Sequence, residues 1–187
     1  MEHHINIEQR ERLLAWLEDP QVYDDLRRVR ELGLPQACIA AGYVRNRVWD
    51  KLHGYVSLTP LNDIDVIYFD PEQQSDERDE WLEQQLGRDQ IHRNWSVKNQ
   101  AHMHIRNGHA PYASVTDAMR YWPETATAVG IYLDQEDQLQ IVAPFGLQDL
   151  MDLKVRKGPY FRSDTYFRQR VFDKQWLDTW PLLIVEA

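Results

Sequence analysis

Within "TPLNDIDVIYFDPE", Thr59 to Glu72, the carboxylates of Asp63, Asp65 and Asp70 interrupt a run apolar enough for a buried strand. Alternate residues of a strand point to the same side about 7 Å apart, so Asp63 and Asp65 face one way. Asp70, at an odd spacing from both, faces the other way. Two like charges so placed repel, and burying them is costly unless something positive meets them. A divalent cation is one answer, since Mg²⁺ or Mn²⁺ takes hard oxygen ligands and would hold the phosphates of a nucleotide. An arginine paired with Asp65 at a sheet edge is the other.

A second stretch adds to the first. In "IAAGYVRN", Gly42 ends a short apolar strand and opens a helix, where the backbone can approach a ligand closely. The free N–H groups of Gly42, Tyr43 and Val44 and the positive end of the helix dipole suit a phosphate. Arg45 and Asn46, in the first turn, offer a charge-assisted contact and a neutral donor. Either stretch alone is a common pattern. A glycine turn into a helix, followed about twenty residues later by a strand with D-x-D, is more specific.

The elements that position these residues are legible from periodicity and caps. Asn6 with Gln9 caps a helix over about 7 to 18, and Asp19 with Pro20 starts another that Gly33 closes, so a helical hairpin spans 1–34. A core of 36–145 follows: the strand of Gln36 to Gly42, its helix, the aspartate strand, a helix capped near Ser75, and "NWSVKNQ" and "AHMHIRNG" as strands. A short helix capped by Ser114 and Asp117 and a hairpin turning at Gln135 to Gln138 complete it. Helices near 147–156 and 164–179 fill the rest, 146–187. The expectation is one domain over 1–187, an α/β (α+β) fold with a mixed central sheet, because the late hairpin argues against an all-parallel one.

Bulk properties narrow the partners. A formal net charge of -9 without a basic run argues against reliance on a nucleic-acid backbone, so a nucleic-acid partner is not expected. No apolar run approaches the roughly 18 residues that cross a membrane. The polar N-terminus carries no export signal, and with Cys38 the single cysteine no intrachain disulfide forms, so a cytoplasmic location is the expectation.

"AGYVRNRVWDKLHG", "TPLNDIDVIYFD", "VKNQAHMH", "PYASVTDAMRYWPETATAVGI" and "APFGLQDLMDLKVR" together resemble a small stand-alone bacterial nucleotidyltransferase family, long listed as a domain of unknown function. It belongs to the DNA polymerase β-like nucleotidyltransferase superfamily. The resemblance spans roughly 36 to 180 and implies that superfamily's mixed sheet. It also implies that Gly42 begins the phosphate turn, that Asp63 and Asp65 bind Mg²⁺ and are catalytic, and that the substrate is an NTP. A nucleoside monophosphate would pass to an unidentified small-molecule or macromolecular acceptor, with release of pyrophosphate. The superfamily usually follows its glycine with glycine or serine, where this chain has Tyr43. It also usually carries a third carboxylate on a neighbouring strand, where "NWSVKNQ" offers Lys98 for phosphate and Asn99 as a neutral ligand. Glu124 substitutes only if the fold brings it near. A nucleotide-binding or regulatory protein that has lost turnover with the third carboxylate is the alternative.

Other groups read as structural. His102, His104 and His109 fall short of a zinc set. Trp49, Trp95 and Trp122 read as packing before base stacking. Arg162, Arg168 and Arg170 read as a solvated helical face before a basic rim for phosphate.

Overall fold

Short caps and apolar stripes build the first layer. In a computed structural model that describes residues 5–73, 75–90 and 92–186, Asn6 Oδ1 accepts from the N–H of Glu8 at 2.9 Å and of Gln9 at 3.3 Å. Residues 1–4 of the polar N-terminal stretch lie outside the described residues. This cap starts α1 (Ile7–Leu17), and Asp19, accepting from Gln21 N–H, starts α2 (Pro20–Glu31) with proline in its first turn. Leu13, Leu17, Val22, Leu26 and Val29 form the buried stripe of this hairpin.

The chain then enters β1 (Cys38–Ala40), α3 (Gly42–Leu52), β2 (Ile64–Tyr68), α4 (Asp76–Gly87) and β3 (Trp95–Asn99). Next come α5 (Gln100–Asn107), α6 (Val115–Met119) and the hairpin of β4 (Gly130–Leu133) and β5 (Leu139–Val142). The five-stranded sheet runs β3-β2-β1-β4-β5, parallel only between β2 and β3. The sheet is therefore mixed, as the hairpin implied. In register, Ala40 faces Asp65 on one side and Gly130 on the other. A Cβ at Gly130 would stand 2.8 Å from Cys38 Sγ, so only glycine lets β1 and β4 approach there.

Each face of the sheet has its own core. Ile39, Val66, Tyr68, Val97 and Ile131 pack with the helical hairpin and α3, whereas Cys38, Ala40 and Ile67 pack with Val115 and Met119 of α6. Asp65 has the parity of Ile67, so it opens on this second, less covered face. Cys38 lies within that layer, where burial pushes its thiol up to about 12 and removes it as a nucleophile.

Three expected elements differ. "AHMHIRNG" is the helix α5 rather than a strand: the Asn99 side chain accepts from Ala101 N–H at 3.0 Å to cap it, and Gly108 closes it at φ +65. His102 and His104 therefore point to different sides of a helix. The helix expected over 147–156 stops early as α7 (Gln148–Met151). Leu153 takes φ +58, and β6 (Lys154–Arg156) pairs in parallel with β7 (Ile184–Glu186). The helix expected over 164–179 is two, α8 (Asp164–Asp173) and α9 (Trp176–Thr179), broken by Gln175 at φ +50. Trp49, fully buried, packs edge-on against Trp176 and Trp180 at 5.5 and 5.1 Å, which fixes α9 on α3. Such pairs contribute about 1 kcal/mol each beyond burial. Among the described residues no helix is long and apolar enough to cross a membrane.

Candidate active site

The turn from β1 into α3 is strained one residue before the glycine. Ala41, not Gly42, takes φ +55 and ψ -123, a conformation close to glycine-only. Its carbonyl accepts from the N–H of Val44 at 3.2 Å and of Arg45 at 2.9 Å, so Val44 N–H is engaged. The N–H groups of Gly42 and Tyr43, first in the helix, have no intrahelical acceptor and point out of its end. A Cβ built on Gly42 would meet Arg45 Nη2 at 3.5 Å and Asn46 Oδ1 at 3.8 Å, which sets the turn beside both side chains.

Tyr43 does not obstruct that turn. Its ring is buried in the main core, and its hydroxyl donates to Asp25 Oδ2 at 2.5 Å, where Arg93 also holds the carboxylate through two nitrogens at 2.5 and 2.6 Å. The bulky residue after the glycine thus anchors α3 to α2 and points away from the turn's own N–H groups. Val44 is likewise in the core.

Arg45 turns the other way. Its Nη1 donates to Thr127 Oγ1 at 2.9 Å, its Nε and Nη2 donate to Asn46 Oδ1, and its guanidinium lies over Trp176 at 4.5 Å and Trp49 at 5.0 Å. Burial brings its pKa down to about 10, with Glu124 and then Asp65 and Asp63 resisting the fall and Arg170 adding to it. It stays charged at neutral pH. One guanidinium therefore feels both the aspartate pair and Glu124.

Asp63 and Asp65 are near enough for the charge of one to act on the other. Asp63 is exposed, just ahead of β2, and Asp65 is partly buried within it. Burial first and the Asp63 charge second push the Asp65 carboxyl up to about 6, against the pull of Arg45, Lys174 and Arg170. Three cations from α3 and α8 thus surround the pair and do not fully offset it. The segment leading to Asp63 is held by Asp50 of α3, which accepts from Thr59 N–H at 2.7 Å, Thr59 Oγ1 at 2.6 Å and Trp180 Nε1 at 2.8 Å.

Glu124 stands beside Arg170 and Arg45, two of the cations that act on the pair. It is fully buried, its Oε1 accepts from Arg170 Nε at 2.7 Å, and its Oε2 is buried with no hydrogen-bond partner among the described residues. Its closest charges are guanidinium groups, so it acts as the counter-ion of Arg170 and Arg45. Arg170, expected as a solvated rim, is a site residue. Lys174, four residues on along α8, and Thr127 escaped the sequence reading; the i, i+4 spacing of Arg170 and Lys174 was the available signal.

Lys98 and Asn99 lie elsewhere. Lys98 Nζ pairs with Glu83 Oε1 at 2.9 Å on α4, and that carboxylate also accepts from Val97 N–H along the sheet edge. Asn99 is buried, caps α5 and donates to the carbonyls of Asp70 and Gln73. Lys98 is held by Glu83 on α4 and Asn99 by the backbone around it, both toward the C-terminal ends of β2 and β3. Asp70 there pairs with Arg78 at 2.7 Å, in line with its opposite facing. Asp76, Asp79 and His102 also gather within 4.8 Å at that end. Asp79 already accepts from Tyr68 Oη at 2.7 Å and Asn99 N–H at 3.1 Å, so its oxygens serve the fold.

Residues 27–185 match a nucleotidyltransferase family. This chain belongs to it. Among solved structures, the nucleotidyltransferase resembles a protein whose NMR structure reveals a CCA-adding enzyme head domain, at 37% identity over 95% of each chain and a TM-score of 0.83. It shares the fold of the Thermotoga maritima CCA-adding enzyme complexed with tRNA, at 16% identity and a TM-score of 0.56. A second CCA-adding enzyme, in an apo form, aligns at 13% identity and a TM-score of 0.53. The chain spans less than half of those two enzymes, 42% and 44% of their lengths. No curated protein matches it. The charge argument against nucleic acid is not supported, since net charge is a property of the whole surface and does not exclude a local basic patch.

Proposed function

We propose that this nucleotidyltransferase moves a nucleoside monophosphate from an NTP to an acceptor hydroxyl. The acceptor oxygen bonds to the α-phosphorus, the bond to the bridging oxygen breaks, and pyrophosphate leaves. The observation that carries the reading is the arrangement at the start of β2, where Asp63 and Asp65 lie among Arg45, Arg170 and Lys174, with burial and the Asp63 charge pushing the Asp65 carboxyl up to about 6. Such a pair gains from a divalent cation, and its hard oxygens fit Mg²⁺ or Mn²⁺. Asp63 and Asp65 would hold the ion, which supplies charge neutralisation at the phosphates.

The chain's own groups do the rest. Arg170 and Lys174 bind the triphosphate, Arg45 adds its charge from its buried place behind them, and the N–H groups of Gly42 and Tyr43 orient it at the helix end. Glu124 is a positioning residue: it holds Arg170 and balances Arg45. Rate enhancement comes from orientation and fixed charge. A second reading, an NTP-binding protein without turnover, is favoured by one observation, the commitment of Glu124 to Arg170 rather than to the aspartate pair.

Two measurements test this. Mn²⁺ and NTP are titrated against the wild type and the Asp63→Asn, Asp65→Asn double variant, and unchanged binding in the variant would refute the site. Pyrophosphate release is then followed with tRNA transcripts lacking their 3′ CCA, the acceptor suggested by the relative at 37% identity. Release with the wild type and none with the variant separates transfer from binding alone.

A further inference from the structure

Helix α8 presents three different sides. Phe167 and Val171 are buried against the core, while Arg170 and Lys174 act on Asp65. Arg168 and Phe172 lie two residues either side of Arg170, roughly 200° around the helix from it. On that opposite side Phe172 is 77% exposed. It stands on the rim of a groove of about 350 Å³, whose walls include Arg168 from α8, Leu177 and Asp178 from α9 and Val185 from β7. No residue of this groove is one we place in the aspartate site.

We propose that the groove is a self-association surface, closed by a second copy of this chain across a two-fold axis. A two-fold contact requires a self-complementary patch, so a projection needs its recess, and a charge its opposite, on the same surface. This patch does: Phe172 projects beside an apolar recess, and exposed Arg168 and Asp178 stand on different walls of it. Across the axis each Phe172 enters the other copy's groove, and each Arg168 meets the other copy's Asp178. Phe172, Leu177 and Val185, exposed by 77%, 46% and 37%, leave bare an apolar area. That area is on the order of 300 Å², the lower end of the size of the largest apolar patch on a typical monomer, which is often a functional surface. Docking would clamp the helix that carries Arg170 and Lys174, a consequence that rests on their phosphate role; the self-association does not.

Sedimentation velocity at tens of micromolar tests it, with far-UV circular dichroism melting as the control for folding. The wild type sediments as a dimer and Phe172→Glu as a monomer with the same melting curve, since this side chain is outside the core. Arg168→Asp and Asp178→Arg each weaken the dimer about tenfold, and the two together restore it. A monomeric wild type, with the groove then left to another protein, would overturn the proposal. So would a Phe172→Glu dimer, or a charge reversal in which the combined variant is no tighter than the single ones. Loss of Mn²⁺ and NTP binding in the Asp63 and Asp65 variant leaves these outcomes unaffected, so the two readings fail separately.

Discussion

Asp65→Asn should stabilise the fold while removing a ligand of the proposed metal site. Folding lifts this carboxyl from 3.8 to about 6, so the folded chain holds a proton that the unfolded chain releases. A raised carboxylate pKa is a cost that is absent below about pH 4, grows as the pH rises and is complete above about pH 6. At 1.36 kcal/mol per pKa unit the full cost is up to about 3 kcal/mol at pH 8, and about half of that at pH 5. Asparagine mimics the protonated form, so the variant gains these amounts. Urea unfolding in EDTA measures the gain: with a slope of roughly 2 kcal/mol per molar, the midpoint rises by about 1.5 M at pH 8 and about half as much at pH 5. Excess Mn²⁺ at pH 8 should restore stability to the wild type and not to the variant. A variant no more stable than wild type at pH 8, or a gain that does not shrink at pH 5, would refute the view that Asp65 is an electrostatic burden held in place for a cation.

Two further substitutions probe the supporting structure. Ala41→Gly relieves a φ of +55 at ψ -123, and the relief of about 2 kcal/mol less about 1 kcal/mol of added chain entropy leaves a gain of about 1 kcal/mol. Thermal unfolding reads this, and a neutral or destabilising result would mean that the turn is not strained. Glu124→Gln removes the counter-ion of Arg170 and Arg45. Arg170 keeps 25% exposure, so the loss is about 2 kcal/mol rather than the roughly 3–5 of a fully buried pair. Urea unfolding at pH 7 checks it, and an unchanged midpoint would show that Glu124 does not balance these guanidinium groups.

Strand parity was enough to expect Asp63 and Asp65 on one side and Asp70 on the other; in the structure the Asp63 charge acts on Asp65, and Asp70 pairs with Arg78. Caps located α1, α2 and α6 for the same reason, because each signal lies within a few residues. The alternation in "AHMHIRNG" misled because over four residues a half-buried strand and the exposed side of a short helix read alike. Asn99 before it and Gly108 after it were the deciding caps. Lys98 offered a charge of the right sign on a neighbouring strand, yet Glu83 of α4 claims it, and α4 packing is not visible in β3.

By itself, then, the sequence determined the local parts: a glycine turn, two aspartates on one side of a strand, and the helices and hairpin around them. These depend on backbone periodicity and on side chains reaching the next turn. Only the tertiary structure decided what meets the aspartates. Arg45 comes from α3, Arg170 and Lys174 from α8, and Glu124 from the segment before β4. It also decided that Tyr43 turns into the core toward Asp25 and away from the glycine turn. Charges distant along the chain meet only when the layers close, and burial then sets how strongly each acts on the others.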